Sequence, residues 1–560
     1  MSLFPKDIFD LATEIRETAR QFPNRVAVIE PNGKQHGRRA YKRFTYAELS
    51  ADVEAVAVGL REMGIHEGTR TVFMAPPSYQ ACVMGAALTR VGAMLIWIDP
   101  SVGYRNVAER LGRVEPEAFV GLPIVHVGRL VFGWGSRLLR KLIVLNGVFP
   151  GARTIASLRR TAPKEPSSPS VTRDDAATIL YTTGSTGPAK PAVYLHRNFC
   201  NVYRTAQYSW RFHADDTLPV DLAAFPAFLF IALSAGGTVV VPPIDFVRQG
   251  PADVDPQAII EVINDCGVRS FFASPALLER MANHATAKRL TMPSLIRVIG
   301  GGAPLFAPLM RSLLPVMGED AEVWSNYGAT EALPSTEIGA AEVLASTAQG
   351  TDEGLGICVG RPFPGITARV VRLSDEPIDS LEDLEELPRG EVGELIVQGP
   401  NISPHYYQDE LSTRKNKIVD AAGGVWHRLG DAGHMDAEGR LWVAGRLGQR
   451  VQTSEGPLFP LHIEPIFDAH PLVYRSGLVA SGAAKRAHPV ICVEPTRTLS
   501  ASERDQLHDE LLAMAATHLS TRAVKDLLFS AGLPVDPRHN AKIERNSLAK
   551  WAAAQPARRA

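Results

Sequence analysis

One short stretch of the chain combines hydroxyls, glycines and a lysine in a spacing that suits the phosphates of a nucleotide. Its residues of interest are Thr182, Thr183, Gly184, Ser185, Thr186, Gly187 and Lys190. Glycine has no Cβ, so backbone amides there can turn toward a polyanion, and hydroxyls add donors without charge. The Gly-Lys-Ser/Thr ending of a Walker loop is absent, because Ala189 precedes the lysine. The stretch therefore predicts a phosphate loop of another kind, with a polar surface loop as the alternative.

Two later segments carry groups suited to a purine ring and a metal ion. The first follows a strand-like run and contains Gly302, Ala303 and Pro304, small residues that would let a flat ring approach the backbone closely. The second consists of Asn326, Tyr327, Gly328, Ala329, Thr330 and Glu331. Its tyrosine offers an aromatic face for the purine, its threonine a hydroxyl for a phosphate, and its glutamate a carboxylate for Mg²⁺.

A carboxylate and a guanidinium complete this set. Asp431 lies in a glycine-flanked turn, where it could accept hydrogen bonds from both hydroxyls of a ribose, and Arg446 supplies the guanidinium. Taken singly, each residue is more often structural: Tyr327 a core aromatic, Asp431 a turn former, Arg446 a surface charge. Together with the phosphate loop they predict a nucleotide site.

The length and composition of the chain limit the number of domains and the kinds of ligand that we expect. A chain of 560 residues exceeds a single hydrophobic core, so we expect two or more domains. A net charge of −1 argues against bulk electrostatic binding to nucleic acid or anionic lipid. The five cysteines form no Cys-x-x-Cys pair, which argues against a disulfide framework or a zinc site and fits the reducing cytoplasm.

Two apolar segments raise the question of membrane contact. Residues 222–244 carry no charge and are long enough to span a bilayer, but prolines and glycines interrupt them. We expect a buried helix followed by a buried strand there, and no transmembrane segment. Residues 127–148 mix apolar side chains with three arginines and a lysine. We interpret them as an amphipathic helix facing the core, with peripheral membrane contact or a cover over an apolar substrate entrance as alternatives.

The elements that must position these groups alternate between strands and helices. Strand-like runs at 26–29, 71–74 and 95–98 are separated by helical patterns at 46–63 and 79–89. Such alternation predicts an α/β fold whose N-terminal domain contains parallel and mixed sheets with helices.

The pattern changes twice further along the chain. From Ile357 onward, short runs separated by Gly and Pro turns predict a β-rich subdomain. After Arg446 the chain reads as a small α+β module, with helices at 501–517 and 546–554. We therefore expect an N-terminal domain at 1–446 and a C-terminal domain at 447–560.

Together these clusters resemble the adenylate-forming superfamily of acyl-CoA synthetases, luciferases and peptide-synthetase adenylation domains. The resemblance covers nearly the whole chain. Residues 182–190 resemble the family's phosphate loop, 327–331 its adenine and magnesium motif, and Asp431 with Arg446 its ribose pair.

The segment 534–545 resembles the motif that carries the family's catalytic lysine, so that role transfers to Lys542. The resemblance implies ATP and Mg²⁺ as cofactors, and activation of an acid as an acyl-adenylate with release of pyrophosphate. It also implies catalytic roles for Lys542, Thr330 and Glu331, with Glu331 as the metal ligand. In this family the small C-terminal domain is mobile and brings the lysine in for the first half-reaction.

Departures from the family pattern concern the second half-reaction. CoA-using members carry a glycine-rich turn followed by Arg-Ile where this chain has residues 452–460. Gly448 stands where the family usually has Asp or Lys, and Ala541 stands where it has glycine. Residues 221–230 lack the His-containing motif of many acyl-CoA synthetases. These differences argue against delivery of an external thiol.

Segments 98–103 and 538–543 resemble the superfamily branch formed by the β-lactone synthetases of olefin biosynthesis. This branch implies a 2-alkyl-3-hydroxy fatty acid whose own β-hydroxyl attacks the adenylate and closes a β-lactone, so that proximity replaces a second substrate. It implies a cytoplasmic enzyme that binds no nucleic acid. Its partners would be a thiolase-like enzyme, a reductase and a β-lactone decarboxylase. Segments 222–233 and 127–145 would suit the two alkyl chains.

Other functions stay open on the sequence. A long-chain fatty acyl-CoA ligase or a fatty acyl-AMP ligase would share every ATP motif. A non-catalytic nucleotide-binding scaffold is disfavoured, because binding alone has no need for Lys542. His196 is a candidate base for the β-hydroxyl, although a structural role is the favoured interpretation.

Overall fold

The computed structural model describes residues 7–98, 103–135, 137–160, 169–182, 189–212, 218–246, 248–249, 253–454, 456–481, 488–518, 520–535 and 543–555. In chain order, the first strands are β1 (Val26–Gln35), β2 (Arg38–Thr45), β3 (Arg70–Met74), β4 (Met94–Trp97), β5 (Ala118–Gly121), β6 (Lys141–Val144), β7 (Arg153–Thr154), β8 (Ala176–Tyr181), β9 (Pro191–Leu195), β10 (Val220–Ala223), β11 (Thr238–Val240), β12 (Ser270–Ala273), β13 (Arg297–Gly300) and β14 (Glu322–Ala329). The later strands are β15 (Ala332–Gly339), β16 (Ile357–Pro362), β17 (Thr367–Val371), β18 (Gly393–Gln398), β19 (His405–Tyr406), β20 (Lys417–Val419), β21 (Val425–Met435), β22 (Leu441–Arg446), β23 (Val451–Thr453), β24 (Gly456–Leu458), β25 (Val473–Ser481), β26 (His488–Pro495) and β27 (Asp526–Phe529).

The helices accompany these strands throughout the chain. They are α1 (Leu11–Gln21), α2 (Tyr46–Glu62), α3 (Tyr79–Arg90), α4 (Tyr104–Val114), α5 (Pro123–Val131), α6 (Ile155–Leu158), α7 (His196–Ser209), α8 (Leu229–Ser234), α9 (Pro256–Cys266), α10 (Pro275–Lys288), α11 (Ala307–Leu313), α12 (Ala340–Glu342), α13 (Ala348–Asp352), α14 (Glu410–Asn416), α15 (Pro460–Asp468), α16 (Ala501–Thr517) and α17 (Arg545–Ala553).

Two large sheets form the body of the protein. Within the described residues, eight strands pair in the order β19-β9-β8-β4-β3-β5-β6-β7, and the strands from β8 to β7 in this order are mutually parallel. Fourteen strands form the other sheet, in the order β17-β18-β21-β22-β16-β15-β14-β13-β12-β10-β11-β1-β2, with β20 beside β21. It is parallel from β11 to β14 and antiparallel from β14 to β17, which confirms the mixed α/β fold and the β-rich region predicted after residue 357.

The largest apolar core lies between the two sheets. Helices α1, α2, α3, α7 and α8 fill it together with strand residues from both, such as Val28 of β1 and Leu95 of β4. Local signals start the helices: α2 begins with a capping box in which Thr45 and Glu48 satisfy each other's backbone amides. The helices thus fix the distance between the two sheets, whose strand ends carry the predicted site.

Most predicted elements are confirmed at close to the predicted bounds. Helices α2, α3, α16 and α17 and strands β1, β3 and β4 lie where the sequence pattern indicated. The uncharged segment 222–244 contains α8 and then β11, both buried. In the described residues, no helix combines the length and apolar character needed to cross a bilayer.

The interpretation of residues 127–148 as a core-facing helix is wrong. Helix α5 covers only the start of this stretch, and β6 occupies part of the remainder. The inward side of α5 is taken by His126, which donates a hydrogen bond of 2.8 Å to the carbonyl of Ile143. A nine-residue helix has few inward positions. Most of its other apolar side chains therefore face solvent, with Leu130 and Val131 62% and 68% exposed.

The residues after Arg446 build their own cores. Strands β25, β26 and β27 form a sheet that packs against α15 and α16 on one side and α17 on the other, and β23 pairs with β24. Both apolar clusters of this region consist entirely of residues beyond position 446. The domain boundary at 446/447 stays a prediction, since packing alone does not show independent folding.

Three N-terminal helices meet at a buried ion cluster. The guanidinium of Arg90, which is fully buried on α3, lies 2.7 Å from a carboxylate oxygen of Asp10 and 2.9 Å from one of Glu54 on α2. Arg16 of α1 lies farther from Glu54, at 3.9 Å. Burial raises the pKa of Glu54, because the charged carboxylate is less stable away from water. The cluster therefore depends on Arg90.

We expect Arg90→Met to lower the free energy of unfolding by about 3–5 kcal/mol, because Asp10 loses its buried counter-ion and Glu54 keeps only the distant Arg16. Urea unfolding measures this change. Arg20→Met is the matched control, since Arg20 is 77% exposed and pairs with Glu17 at 3.8 Å in solvent. Equal effects of the two substitutions would contradict the assignment.

Candidate active site

The predicted site residues that the structure describes all line one cavity of about 2370 Å³. They are Thr182, Lys190, Gly302, Ala303, Pro304, Asn326, Tyr327, Gly328, Thr330, Glu331, Asp431 and Arg446. The others, Thr183, Gly184, Ser185, Thr186, Gly187 and Lys542, lie outside the described residues, as do positions 99–102 and 536–541. Three of the lining segments directly follow the carboxyl ends of β8, β13 and β14, the edge at which open α/β sheets bind ligands.

The two ends of the predicted phosphate loop are held together. The amide of Thr182 donates to the carbonyl of Lys190, and the amide of Lys190 donates to the hydroxyl of Thr182, both at 3.0 Å. These two hydrogen bonds hold the end of β8 next to the start of β9. The Lys190 ammonium lies 5.3 Å from the ring centroid of Tyr406, and burial lowers its pKa.

Small residues shape the edge next to β13 and β14. Gly302 has a φ of +82°, a conformation that L side chains rarely adopt. A Cβ on Gly328 would lie 2.4 Å from the carbonyl oxygen of Ala332, so only glycine fits there. Asn326 donates a 2.9 Å hydrogen bond to Ser209, whose hydroxyl is 3.1 Å from Glu337. This edge is thus a fixed surface of backbone and short side chains.

Tyr327, Asp431 and Arg446 form one hydrogen-bonded group. The tyrosine hydroxyl donates to one carboxylate oxygen of Asp431 at 2.7 Å, and the arginine Nε lies 3.1 Å from the other. The prediction that Asp431 lies in a turn is wrong: it lies within β21, directly opposite Arg446 on β22. Burial and the neighbouring Asp431 raise the pKa of Tyr327, and Asp431 raises that of Arg446. Asp431 lines the cavity, and a carboxylate is an acceptor that suits the hydroxyls of a ribose.

Glu331 lies in a buried polar cluster beside the phosphate loop. The Tyr406 hydroxyl donates to its Oε1 at 2.5 Å, and Nε2 of His427 is 3.9 Å from its Oε2. Burial acts to raise the pKa of Glu331, yet the pKa lies below its usual value because His427, Lys417 and Tyr406 surround the carboxylate. Burial lowers the pKa of His427 to about 3, so this ring is neutral at pH 7. The hydrogen bond from Tyr406 and the charge of Lys417, whose own pKa burial lowers to about 7, are therefore the contacts that favour an ionised Glu331 at pH 7.

An ionised carboxylate on the cavity wall fits Mg²⁺, which prefers oxygen ligands. No group of three or more His, Cys, Asp or Glu side chains in the described part of the chain could hold a metal by itself. Mg²⁺ at nucleotide sites is commonly bound through one or two carboxylates, with phosphates and water completing the shell. Glu331 fits that pattern.

The same cavity extends into an apolar compartment. Near Gly301 its wall is aromatic: Trp210 stacks on Phe272 at 5.5 Å, and Phe228 meets Phe272 edge-on at 4.8 Å. Further apolar residues of the lining are Phe73, Met74, Trp97, Leu122, Val125, Ile244 and Phe246. Segment 222–233 contributes as expected. Segment 127–145 does not, because in the described residues α5 reaches the cavity only through residues before position 127.

His196 is not part of this lining in the described structure. It is buried beneath the N-terminal segment, where its Nδ1 accepts a hydrogen bond of 3.1 Å from the amide of Phe9. Burial lowers its pKa to about 4. These contacts support the structural role over that of a base.

Sequence reasoning missed three residues of the site: Tyr406, Lys417 and His427. His427 could have been predicted, because it lies on the same strand as Asp431, four positions before it. Tyr406 and Lys417 belong to short strands of two and three residues with no motif around them. Their burial beside Glu331 follows only from the way these strands pair.

We expect Asp431→Ala to raise the KM for ATP about thirtyfold with little change in kcat. A carboxylate that accepts two ribose hydroxyls contributes about 2 kcal/mol to ground and transition states alike. Steady-state kinetics with varied ATP measure the effect.

The matched control is Asp436→Ala. Asp436 makes comparable contacts, at 2.6 Å to Arg440 and 2.8 Å to Trp442, but lies outside the cavity lining. Its KM for ATP should be unchanged. A collapsed kcat with an unchanged KM in Asp431→Ala would show that the residue was misassigned.

Comparison with known proteins agrees with this geometry. The profile of the family described as AMP-binding enzyme matches residues 15–407. The olefin β-lactone synthetase of Stenotrophomonas maltophilia is 36% identical over 559 residues, which cover 98% of this chain and 99% of that protein. The olefin β-lactone synthetase of Xanthomonas campestris is 35% identical over 555 residues, or 98% of each chain. The amide bond synthetase McbA of Marinactinospora thermotolerans has the same fold, with a TM-score of 0.77 at 20% identity over 97% of this chain and 99% of that one. The chain therefore belongs to the family of AMP-binding enzymes, and it is an ATP-dependent ligase that forms AMP.

Proposed function

We propose that the protein activates a 2-alkyl-3-hydroxy fatty acid as its acyl-adenylate and closes the product to a β-lactone. The observation that carries this proposal is the single cavity that joins the nucleotide residues to an aromatic and aliphatic compartment. At about 2370 Å³ it exceeds the roughly 300–1000 Å³ of an ordinary small-molecule site, and its lining also includes polar residues after Arg446 such as Glu464 and Arg475. Similarity to two olefin β-lactone synthetases over nearly the full chain supports the choice of substrate.

The first half-reaction converts a poor leaving group into a good one. A carboxylate oxygen of the acid attacks the α-phosphorus of ATP, and a new oxygen–phosphorus bond forms. The bond from the α-phosphorus to the oxygen that bridges to the β-phosphate breaks, and pyrophosphate leaves. In this proposal residues 182–190 bind the phosphates, Tyr327 contacts the adenine, and Asp431 with Arg446 holds the ribose. Glu331 would hold the metal, which would offset charge on the phosphates. Thr330 would donate its hydroxyl to a phosphate, and Lys542 would neutralise charge on the departing pyrophosphate.

The second half-reaction needs no further substrate. The β-hydroxyl oxygen attacks the activated carbonyl carbon, and a new carbon–oxygen bond closes the four-membered ring. The bond from that carbon to the bridging oxygen breaks, so AMP leaves with the carboxylate oxygen that had attacked phosphorus, and the other oxygen remains as the lactone carbonyl. The hydroxyl proton passes to water. Because nucleophile and electrophile belong to one molecule, the enzyme contributes mainly by holding them in a reactive conformation. The apolar compartment does so by fixing both alkyl chains.

The region after Arg446 supports an intramolecular acceptor. In the described residues, the stretch in which CoA-using relatives carry a glycine-rich turn forms the small β23–β24 pair, in which Val451 lies opposite Leu458. The sequence of residues 452–460, like Gly448 and Ala541, differs from the pattern of thiol-using family members. We propose a domain boundary at 446/447, with the C-terminal domain carrying Lys542.

The proposed setting is the cytoplasm. All five cysteines are free, and four are buried, as in a reducing compartment. The proposed partners are a thiolase-like enzyme and a reductase that supply the hydroxy acid, and a decarboxylase that consumes the lactone.

We expect the protein to convert ATP and a 2-alkyl-3-hydroxy fatty acid to AMP, pyrophosphate and β-lactone without CoA. The activated carbonyl and the hydroxyl lie a few bonds apart, so turnover should continue past one equivalent per site. Product infrared spectra should show the carbonyl stretch of a strained lactone, and heating should release CO₂ and an alkene. Added CoA should neither speed AMP release nor give a thioester.

The matched control is the corresponding 3-methoxy acid, which keeps both alkyl chains but has no attacking hydroxyl. It should form the adenylate and stop after at most one turnover per site. If CoA accelerates turnover and a thioester accumulates, the enzyme is a long-chain acyl-CoA ligase. If the free adenylate accumulates from the hydroxy acid as well, it is an acyl-AMP ligase.

A further inference from the structure

The outward side of α5 and the turn after it form an exposed apolar surface, which we call the α5 face. Its residues are Ile124, Val127, Leu130, Val131, Phe132 and Leu138. Single exposed apolar residues are ordinary on protein surfaces, but a cluster on one helix face indicates an interaction site.

The α5 face is held rigidly from beneath. His126 ties the helix to β6 through its hydrogen bond to Ile143 and stacks on Phe149 at 5.0 Å. Trp134 is buried and packs directly under Gly128, where a Cβ would lie 3.3 Å from its ring. Phe132 stacks on Trp134 at 5.8 Å. The apolar side chains are thus presented on a fixed scaffold.

The charged residues in the chain segment that contains the α5 face all have one sign. No Asp or Glu occurs between Glu117 and Glu165, whereas eight Lys and Arg residues fall in that interval. Arg159 and Arg160 are engaged by Asp52 and Glu62. Arg137 and Arg140 are exposed within the segment that forms the face. An apolar surface with a basic rim complements a bilayer that contains anionic lipid. A second copy of the chain would bring like charges together instead.

The other side of α5 belongs to the cavity. Leu122 and Val125 line it together with Ile244 and Phe246. One short helix therefore separates the apolar compartment from the α5 face, a distance of about one helix diameter, roughly 10 Å.

We propose that the α5 face docks on the surface of an anionic bilayer, so that the apolar substrate reaches the cavity from the membrane rather than from water. The part concerning substrate entry rests on the proposed function. Docking itself does not, and it can be measured without substrate or ATP.

The test is co-sedimentation of the full-length protein with two kinds of vesicle. Vesicles of phosphatidylcholine with phosphatidylglycerol should bind the protein, and vesicles of phosphatidylcholine alone should bind it less. Leu130→Glu with Val131→Glu should weaken binding at least about tenfold, because two apolar contacts are lost and negative charge is added. Arg137→Ala with Arg140→Ala should weaken it about fivefold per residue on anionic vesicles and hardly at all on neutral ones.

Val419→Glu is the matched control, since Val419 is 56% exposed on β20 and lies outside the α5 face. It should bind vesicles like the unaltered protein. Turnover of a soluble short-chain substrate should be equal in all variants, while turnover of a long-chain acid carried in anionic vesicles should fall only in the α5 variants.

Three results would overturn docking: no binding to anionic vesicles, equal loss in Val419→Glu, or dissociation of an oligomer by Leu130→Glu with Val131→Glu in sedimentation velocity. The last would identify the α5 face as a protein–protein interface. If vesicle binding follows the prediction but no lactone forms, the docking surface stands and the proposed function fails.

Discussion

The nucleotide site depends on one contact, the 2.7 Å hydrogen bond from Tyr327 to Asp431. The two residues are 104 positions apart: one ends the parallel part of the large sheet, and the other lies in its antiparallel extension. The contact sets the aromatic face and the ribose carboxylate at a fixed spacing, and Arg446 holds the carboxylate from its other side. A nucleotide that uses both groups must match this spacing, so ATP affinity requires both halves of the sheet to be folded.

The second constraint is the buried carboxylate of Glu331, which draws groups from both large sheets. Tyr406 comes from β19 at the edge of the eight-stranded sheet, and Lys417 from β20 beside β21 of the other. Burying a carboxylate is costly unless donors and a cation replace water. Burial also lowers the pKa of Lys417 to about 7, although Glu331 opposes this shift. The polar cluster therefore ties the two sheets together where the metal and the phosphates are expected.

Sequence patterns correctly predicted the features that depend on interactions between residues close together in the chain. Helix α16 falls at its predicted bounds because a capping box starts it, and the segments beginning at Thr182 and Gly302 were found because each follows a strand-like run. The apolar sequence pattern gave a wrong prediction where the burial of a side chain depends on packing against residues far away in the chain. Apolar periodicity alone suggested that the segment containing α5 faces the core, but His126, Leu122 and Val125 take its inward positions. The sequence did not predict Tyr406 and Lys417 as site residues, because only strand pairing brings them close to Glu331.

The central claim is that the acid's own hydroxyl attacks a carbonyl activated as its adenylate. A substrate labelled with ¹⁸O in both carboxylate oxygens tests this most directly. The account predicts that one label leaves in the phosphate of AMP and the other remains in the carbonyl of the β-lactone. Mass spectrometry of AMP and lactone from the same reaction reads out both. Retention of both labels in the lactone, with none in AMP, would contradict the account, because the hydroxyl would then have been activated and displaced by the carboxylate.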